Sequence, residues 1–164
     1  SLGWTAAGHS ELLIGTLWAA AVLAEITFLY FSRHLVQRIG PINTMALGIA
    51  GGIARWLLML LDFGFWFSMF VQTLHALSFA TLHLGIIHSL VQSVPRSSRN
   101  LAQGIYAAAS SGLAMTVMTW VAGAAYARLG SETYLLMVAV SLVALACVLA
   151  LRRISPTTPA QVAA

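Results

Sequence analysis

Glu25, Arg55 and His75 stand inside apolar runs of a 164-residue chain. A charge placed in hydrocarbon costs ~3 kcal/mol on insertion scales, so such residues usually face a partner, a cavity or a transport path. Glu25 is a carboxyl able to take up and release a proton. Arg55 carries a planar fork that suits a carboxylate, either that of Glu25 or that of a bound anion. At about 100° per residue, Gln72, His75, Phe79 and His83 share one arc of about 80° on their helix. That arc is too polar to face lipid. Trp18 lies one heptad before Glu25 on the same helical face, and Gly48 and Gly52 share a face with Arg55. Each residue also has a plainer reading. Glu25 could be a protonated carboxyl bonded to a neighbouring helix, and Arg55 its structural partner. The histidines could be interhelical hydrogen-bonding groups, and Trp18 could simply pack.

The elements that must position these groups are membrane helices. The chain is 60% hydrophobic and 7% charged, with a mean hydropathy of +0.89. Soluble domains carry about 25% charged residues, so this chain cannot cover a water-facing surface. Five apolar segments, at 12–31, 42–61, 64–91, 101–127 and 134–151, each reach or approach the roughly 20 residues of a spanning helix. The expected architecture is all-α, one polytopic bundle over residues 1–154, with a disordered tail at 155–164. No signal peptide is visible, and a start at Ser-Leu-Gly-Trp rather than Met leaves the native start open.

The net charge of +4 suggests nucleic acid only until the charges are placed. All eight basic residues are Arg. With alternating crossings, Arg33, Arg38, Arg96, Arg99, Arg152 and Arg153 fall on one side. Glu11, Asp62 and Glu132 fall on the other, with Arg128. The arginine bias makes the first side cytoplasmic, so the C-terminus is expected inside and no nucleic-acid partner is expected. Trp4, Trp66, Trp120, Tyr126 and Tyr134 gather toward the outer side as an aromatic belt would.

Other chemistries lack their patterns. The sequence holds no HExxH, no Cys/His metal spacing and no GxSxG. The intramembrane histidines lie on one helix, where they cannot clasp a haem from two sides. No enzyme activity, metal or cofactor is expected. Cys147 stands alone and is expected to pack. The small residues of 107–112 and 122–125, and the pair Gly48 and Gly52, are expected to allow close helix packing.

Several stretches resemble the C-terminal half of a major facilitator superfamily transporter. Gln72-Thr-Leu-His-Ala-Leu-Ser-Phe-Ala-Thr-Leu-His83 is similar to the tenth helix of the phenylpropionate permease group. Leu17-Trp18 with Ala24-Glu25 is similar to its eighth helix. Arg33 to Gly40, ending Gln37-Arg38-Ile39-Gly40, resembles the superfamily's cytoplasmic loop motif, and 123–130 resembles the end of the eleventh helix. The likeness to lactose permease is more distant. The resemblance implies that the five segments are helices eight to twelve of a twelve-helix fold in a bacterial inner membrane. Helices one to seven, the N-terminal half, would then precede Ser1. It also implies a proton-coupled symporter for a small organic solute, an aromatic carboxylate such as phenylpropionate, with a sugar or nucleoside as the alternative. Arg55 and His75 fall at positions of lactose permease's proton-coupling cluster. The acid three residues after that histidine is Ser78 here, so proton carriage passes to Glu25. Substrate contacts are expected from Trp18, Arg55, Gln72, His75, Phe79 and His83. A five-helix membrane scaffold that transports nothing is the reading from another class.

Overall fold

The computed structural model describes residues 4–5, 8, 10–61 and 63–154, and of Arg33 the backbone only. Asp62 and the tail expected at 155–164 lie outside the described residues. Every regular element among those described is helical.

Helix α1 runs Glu11–Ile39. The Ser10 hydroxyl caps it by accepting from the Leu13 amide at 3.4 Å. The loop expected at 33–40 is therefore almost all helix. Nothing between Ser32 and Ile39 breaks a helix, and the first breaker is the pair Gly40-Pro41. Gly40 turns the chain at φ 80 and ψ 161, a backbone region open essentially to glycine alone. Pro41 then starts helix α2, Pro41–Leu58, where its missing N–H costs nothing. Gly40→Ala is expected to lower stability by about 1–3 kcal/mol, read as a fall in thermal unfolding temperature in detergent.

Helix α2 ends short of the expected residue 61. It is also absent from the stretches long and apolar enough to cross a membrane, which are Glu11–Ser32, Phe65–Ser93 and Arg96–Ile154. Its place in the bundle gives the reason. Pro41, Ile42, Thr44, Met45, Gly48, Ile49 and Gly51 are all buried, so protein covers this face of the helix and Thr44 does not meet lipid, while the exposed Asn43 amide donates to the Ile39 carbonyl of α1 at 2.7 Å.

The third rod is not the single α-helix expected over 64–91. Helix α3, Phe65–His75, passes into a π-helical turn at Ala76–Ala80 and then into α4, Thr81–Ser93. The fourth rod is interrupted in the same way. A 3₁₀ turn at Arg96–Ser98 leads into α5, Arg99–Ala107, then a π-helical segment at Ala108–Ala114, then α6, Met115–Leu129. A second 3₁₀ turn, Gly130–Glu132, leads to α7, Thr133–Ile154. In both interruptions a serine hydroxyl donates back to a carbonyl of the preceding turn. Ser78 donates to the His75 carbonyl at 3.1 Å and Ser110 to the Tyr106 carbonyl at 2.7 Å. Such back-bonding competes with the α-helical ladder and bends it.

Helix α2 packs chiefly on α7 and α4, while α1 lies along α3 and the first π-helical turn. Leu17, Ala21, Ser32 and Val36 form the buried stripe of α1. The crossing of α2 and α4 is built on glycine. A Cβ on Gly48 would fall 2.6 Å from the Leu82 nitrogen. One on Gly85 would fall 2.7 Å from the Met45 side chain and 2.8 Å from the Pro41 carbonyl oxygen. The fourth rod behaves differently from expectation. Its glycines are not at close crossings: Gly104, Gly112 and Gly123 each have open space where a Cβ would stand. Small residues permit close approach but do not enforce it. Cys147, expected to pack, is exposed on α7.

Candidate functional site

The antiparallel register of α2 against the third rod sets the site. Gly85 meets Met45, Gly48 meets Leu82, and Gly52 meets Ser78. One further step in that register puts Arg55 level with His75. The glycines thus bring the two backbones together and end where the arginine needs room.

Arg55 holds its guanidinium 4.1 Å from the ring centroid of Trp56. Trp56 in turn stacks on Tyr134 of α7, with centroids 5.9 Å apart and planes 21° from parallel. Cation–π contact contributes ~1–2 kcal/mol when desolvated, part of what placing the charge here costs. The Nε of Arg55 is nonetheless buried without a hydrogen-bond partner.

Along the third rod the rings form a column. His75 and Phe79 stack at 5.4 Å and 16°, and Phe79 and His83 at 6.0 Å and 5°. His83 continues to Tyr106 of α5 at 5.8 Å, and its Nδ1 shares a 3.3 Å hydrogen bond with the Tyr106 hydroxyl. The π-helical turn sits inside this column, between His75 and Thr81. A widened turn at such a point is often a functional feature rather than a defect. Phe79 is 46% exposed, so the column keeps an open flank.

The expected residues divide. The structure gathers His75, Phe79 and His83, and sets Arg55 beside the first of them. Gln72, expected on the same arc, is 3% exposed and turned into the bundle. Glu25 lies half-buried on the packed side of α1 and makes no hydrogen bond or ion pair among the described residues, to Arg55 or to any other group. Trp18 is half exposed one heptad away and joins no ring stack among those described. Sequence reasoning overlooked Tyr106, Trp56 and Tyr134 as members of the constellation. Tyr106 had a signal, since it is the sole aromatic residue between 101 and 119. Trp56 had one too, as the immediate neighbour of an intramembrane arginine. The described His, Cys, Asp and Glu side chains form no group able to hold a metal.

The chain is 29% identical over 142 residues to a probable 3-phenylpropionic acid transporter of Escherichia coli (strain K12), an alignment covering 87% of this chain and 37% of that protein. The chain therefore spans little more than a third of that relative's length. No solved structure matches it. A model of the MFS_1 like family matches residues 4–150. Nearly the whole described bundle, with its apolar rods, falls within that match, and the chain belongs to the MFS_1 like family, whose members are membrane transporters and not enzymes.

Proposed function

We propose that this chain forms one wall of a proton-coupled symporter for a small aromatic carboxylate. The observation that carries the reading is the unsatisfied Nε of Arg55 beside an open column of rings. A buried donor left without an acceptor costs about 1–3 kcal/mol. A substrate carboxylate would supply two acceptors in the geometry the guanidinium favours. Its ring would lie against the exposed edge of Phe79, on the open flank of the column. Transporters of this build hold their ligand near the bilayer midplane, often at interrupted helices, and alternate access by rocking around it. The His83–Tyr106 bond ties the third rod to the fourth, so movement of one would be felt by the other. The arginine clusters would face the cytoplasm, as their bias implies. The name of the Escherichia coli relative supports an aromatic acid over a sugar.

Arg55→Lys in the full-length protein tests the reading. Lysine keeps the charge but loses the fork. The expected result is a KM for 3-phenylpropionate raised at least about tenfold, the worth of one good charge-assisted hydrogen bond. Uptake of the corresponding neutral amide should barely change. Equal losses for acid and amide would assign Arg55 a structural task instead.

A further inference from the structure

At the end of the bundle opposite the arginine clusters lies a half-open pocket of about 170 Å³. Trp4, Phe67, Tyr126 and Tyr134 supply aromatic wall, and Ser68 and Ser131 reach its lining. Two other belt residues, Trp66 and Trp120, are 80% and 75% exposed. The aromatic residues at this end therefore form two sets, one turned outward and one turned onto a cavity. An interfacial belt explains the first set but not the second.

Size and chemistry narrow the occupant. An engineered apolar cavity of ~150 Å³ holds one benzene ring, so this pocket suits a single ring. Tyr134 already spends one face on Trp56. Phe67 already meets Phe63 edge to face at 5.1 Å, which leaves Trp4 and Tyr126 available for offset or edge contacts. The hydroxyls of Ser68, Ser131, Tyr126 and Tyr134 are in no hydrogen bond among the described residues. They offer both donors and acceptors to a hydroxylated ligand. No charged side chain lines the pocket among the described residues. Arg55, which could draw a carboxylate here, is held over Trp56 instead.

We propose that this pocket is a second binding site, for one neutral aromatic ring bearing a hydroxyl, that is, a phenol. Val71 belongs to the lining and lies about one helical turn from His75, so the pocket adjoins the ring column without sharing its side chains. The proposal does not depend on what the column transports.

The test uses the full-length protein in nanodiscs, free of other cysteines, with Ser131→Cys as reporter. Phenol is expected to protect that cysteine from alkylation saturably, and 3-phenylpropionate at equal concentration is expected not to. Ser68→Phe, which fills the pocket, should weaken protection by phenol at least about tenfold, as should Tyr126→Ala, which removes one wall. Monodisperse elution of each variant shows that it is folded. The proposal is overturned by absence of saturable protection, or by protection unchanged in both folded variants. Equal protection by the carboxylate, abolished by Phe79→Ala, would overturn it too, since the reporter would then be sensing the column. Uptake of the carboxylate is read separately, so either proposal can fail alone.

Discussion

Gly85→Ala is expected to cost about 3 kcal/mol or to prevent folding altogether, and Gly48→Ala nearly as much. A Cβ at Gly85 would stand 2.8 Å from the Pro41 carbonyl oxygen, and one at Gly48 would stand 2.6 Å from the Leu82 nitrogen. Both obstacles are backbone, so relief requires moving a helix rather than rotating a side chain. Overpacking of this kind costs about 1–3 kcal/mol, and two closely packed helices put these sites at the upper end. The same shift would carry Arg55 away from His75, because both lie on the crossing. Gly123→Ala, with no neighbour within 4 Å, is the control. It should leave stability unchanged or raise it by up to ~1 kcal/mol, since alanine is the better helix former. Thermal unfolding and size-exclusion profiles in detergent measure all three. A uniform loss would mean that the α2–α4 approach is not what these glycines serve.

Glu25→Gln is expected to abolish accumulation against a gradient while sparing exchange. The substitution keeps shape and removes only the proton. Glu25 sits half-buried where α1 meets the third rod, and no described group neutralises it. An intramembrane acid held in no ion pair is free to change partners during a transport cycle, as a carrier of protons must. One proton moving with one carboxylate anion transfers no net charge. The pH difference alone then drives uptake, and each pH unit, about 1.4 kcal/mol, supports tenfold accumulation. The full-length protein in vesicles should follow that slope, and Glu25→Gln should fall to no accumulation. Exchange of labelled for unlabelled 3-phenylpropionate should continue. Undiminished accumulation in the variant would remove Glu25 from the mechanism, and a response to membrane potential at fixed pH would reveal more than one proton.

Much of the architecture was legible because it follows from solvent. A chain with this apolar content and so few charges can be stable only as helices in a membrane, where each segment satisfies its own backbone. The helix starts at Ser10 and Pro41 and the turns at Gly40 and Gly130 were likewise written in residue types whose preferences are local. The loop at 33–40 was misjudged because arginine marked a membrane boundary, and a helix can run past that boundary into the headgroups. Here it stopped only at Gly40-Pro41.

The site was legible in part. The positions of Arg55, His75, Phe79 and His83 could be read from periodicity, because an uninterrupted helix and the observed one differ little over a single turn. The burial of Gln72 was not readable, because the residues that cover a helix, rather than its own spacing, decide which of its faces is interior. Ser78 could be read as the loss of an acid, but not as the hydroxyl that takes the His75 carbonyl. The widened turn comes from a competition between near-equal hydrogen-bond patterns, which neighbouring helices tip one way.

By itself the sequence determined the solvent, the helical class and which polar residues stand inside apolar helices. Those properties belong to single residues and to spacings within one helix. The tertiary structure decided that α2 is wrapped by its neighbours, that Arg55 faces His75 and rests on Trp56, that Tyr106 closes the ring column, and that part of an aromatic belt turns onto a pocket. Each depends on the register between helices, which is fixed by where two backbones can touch and appears in no single stretch of chain.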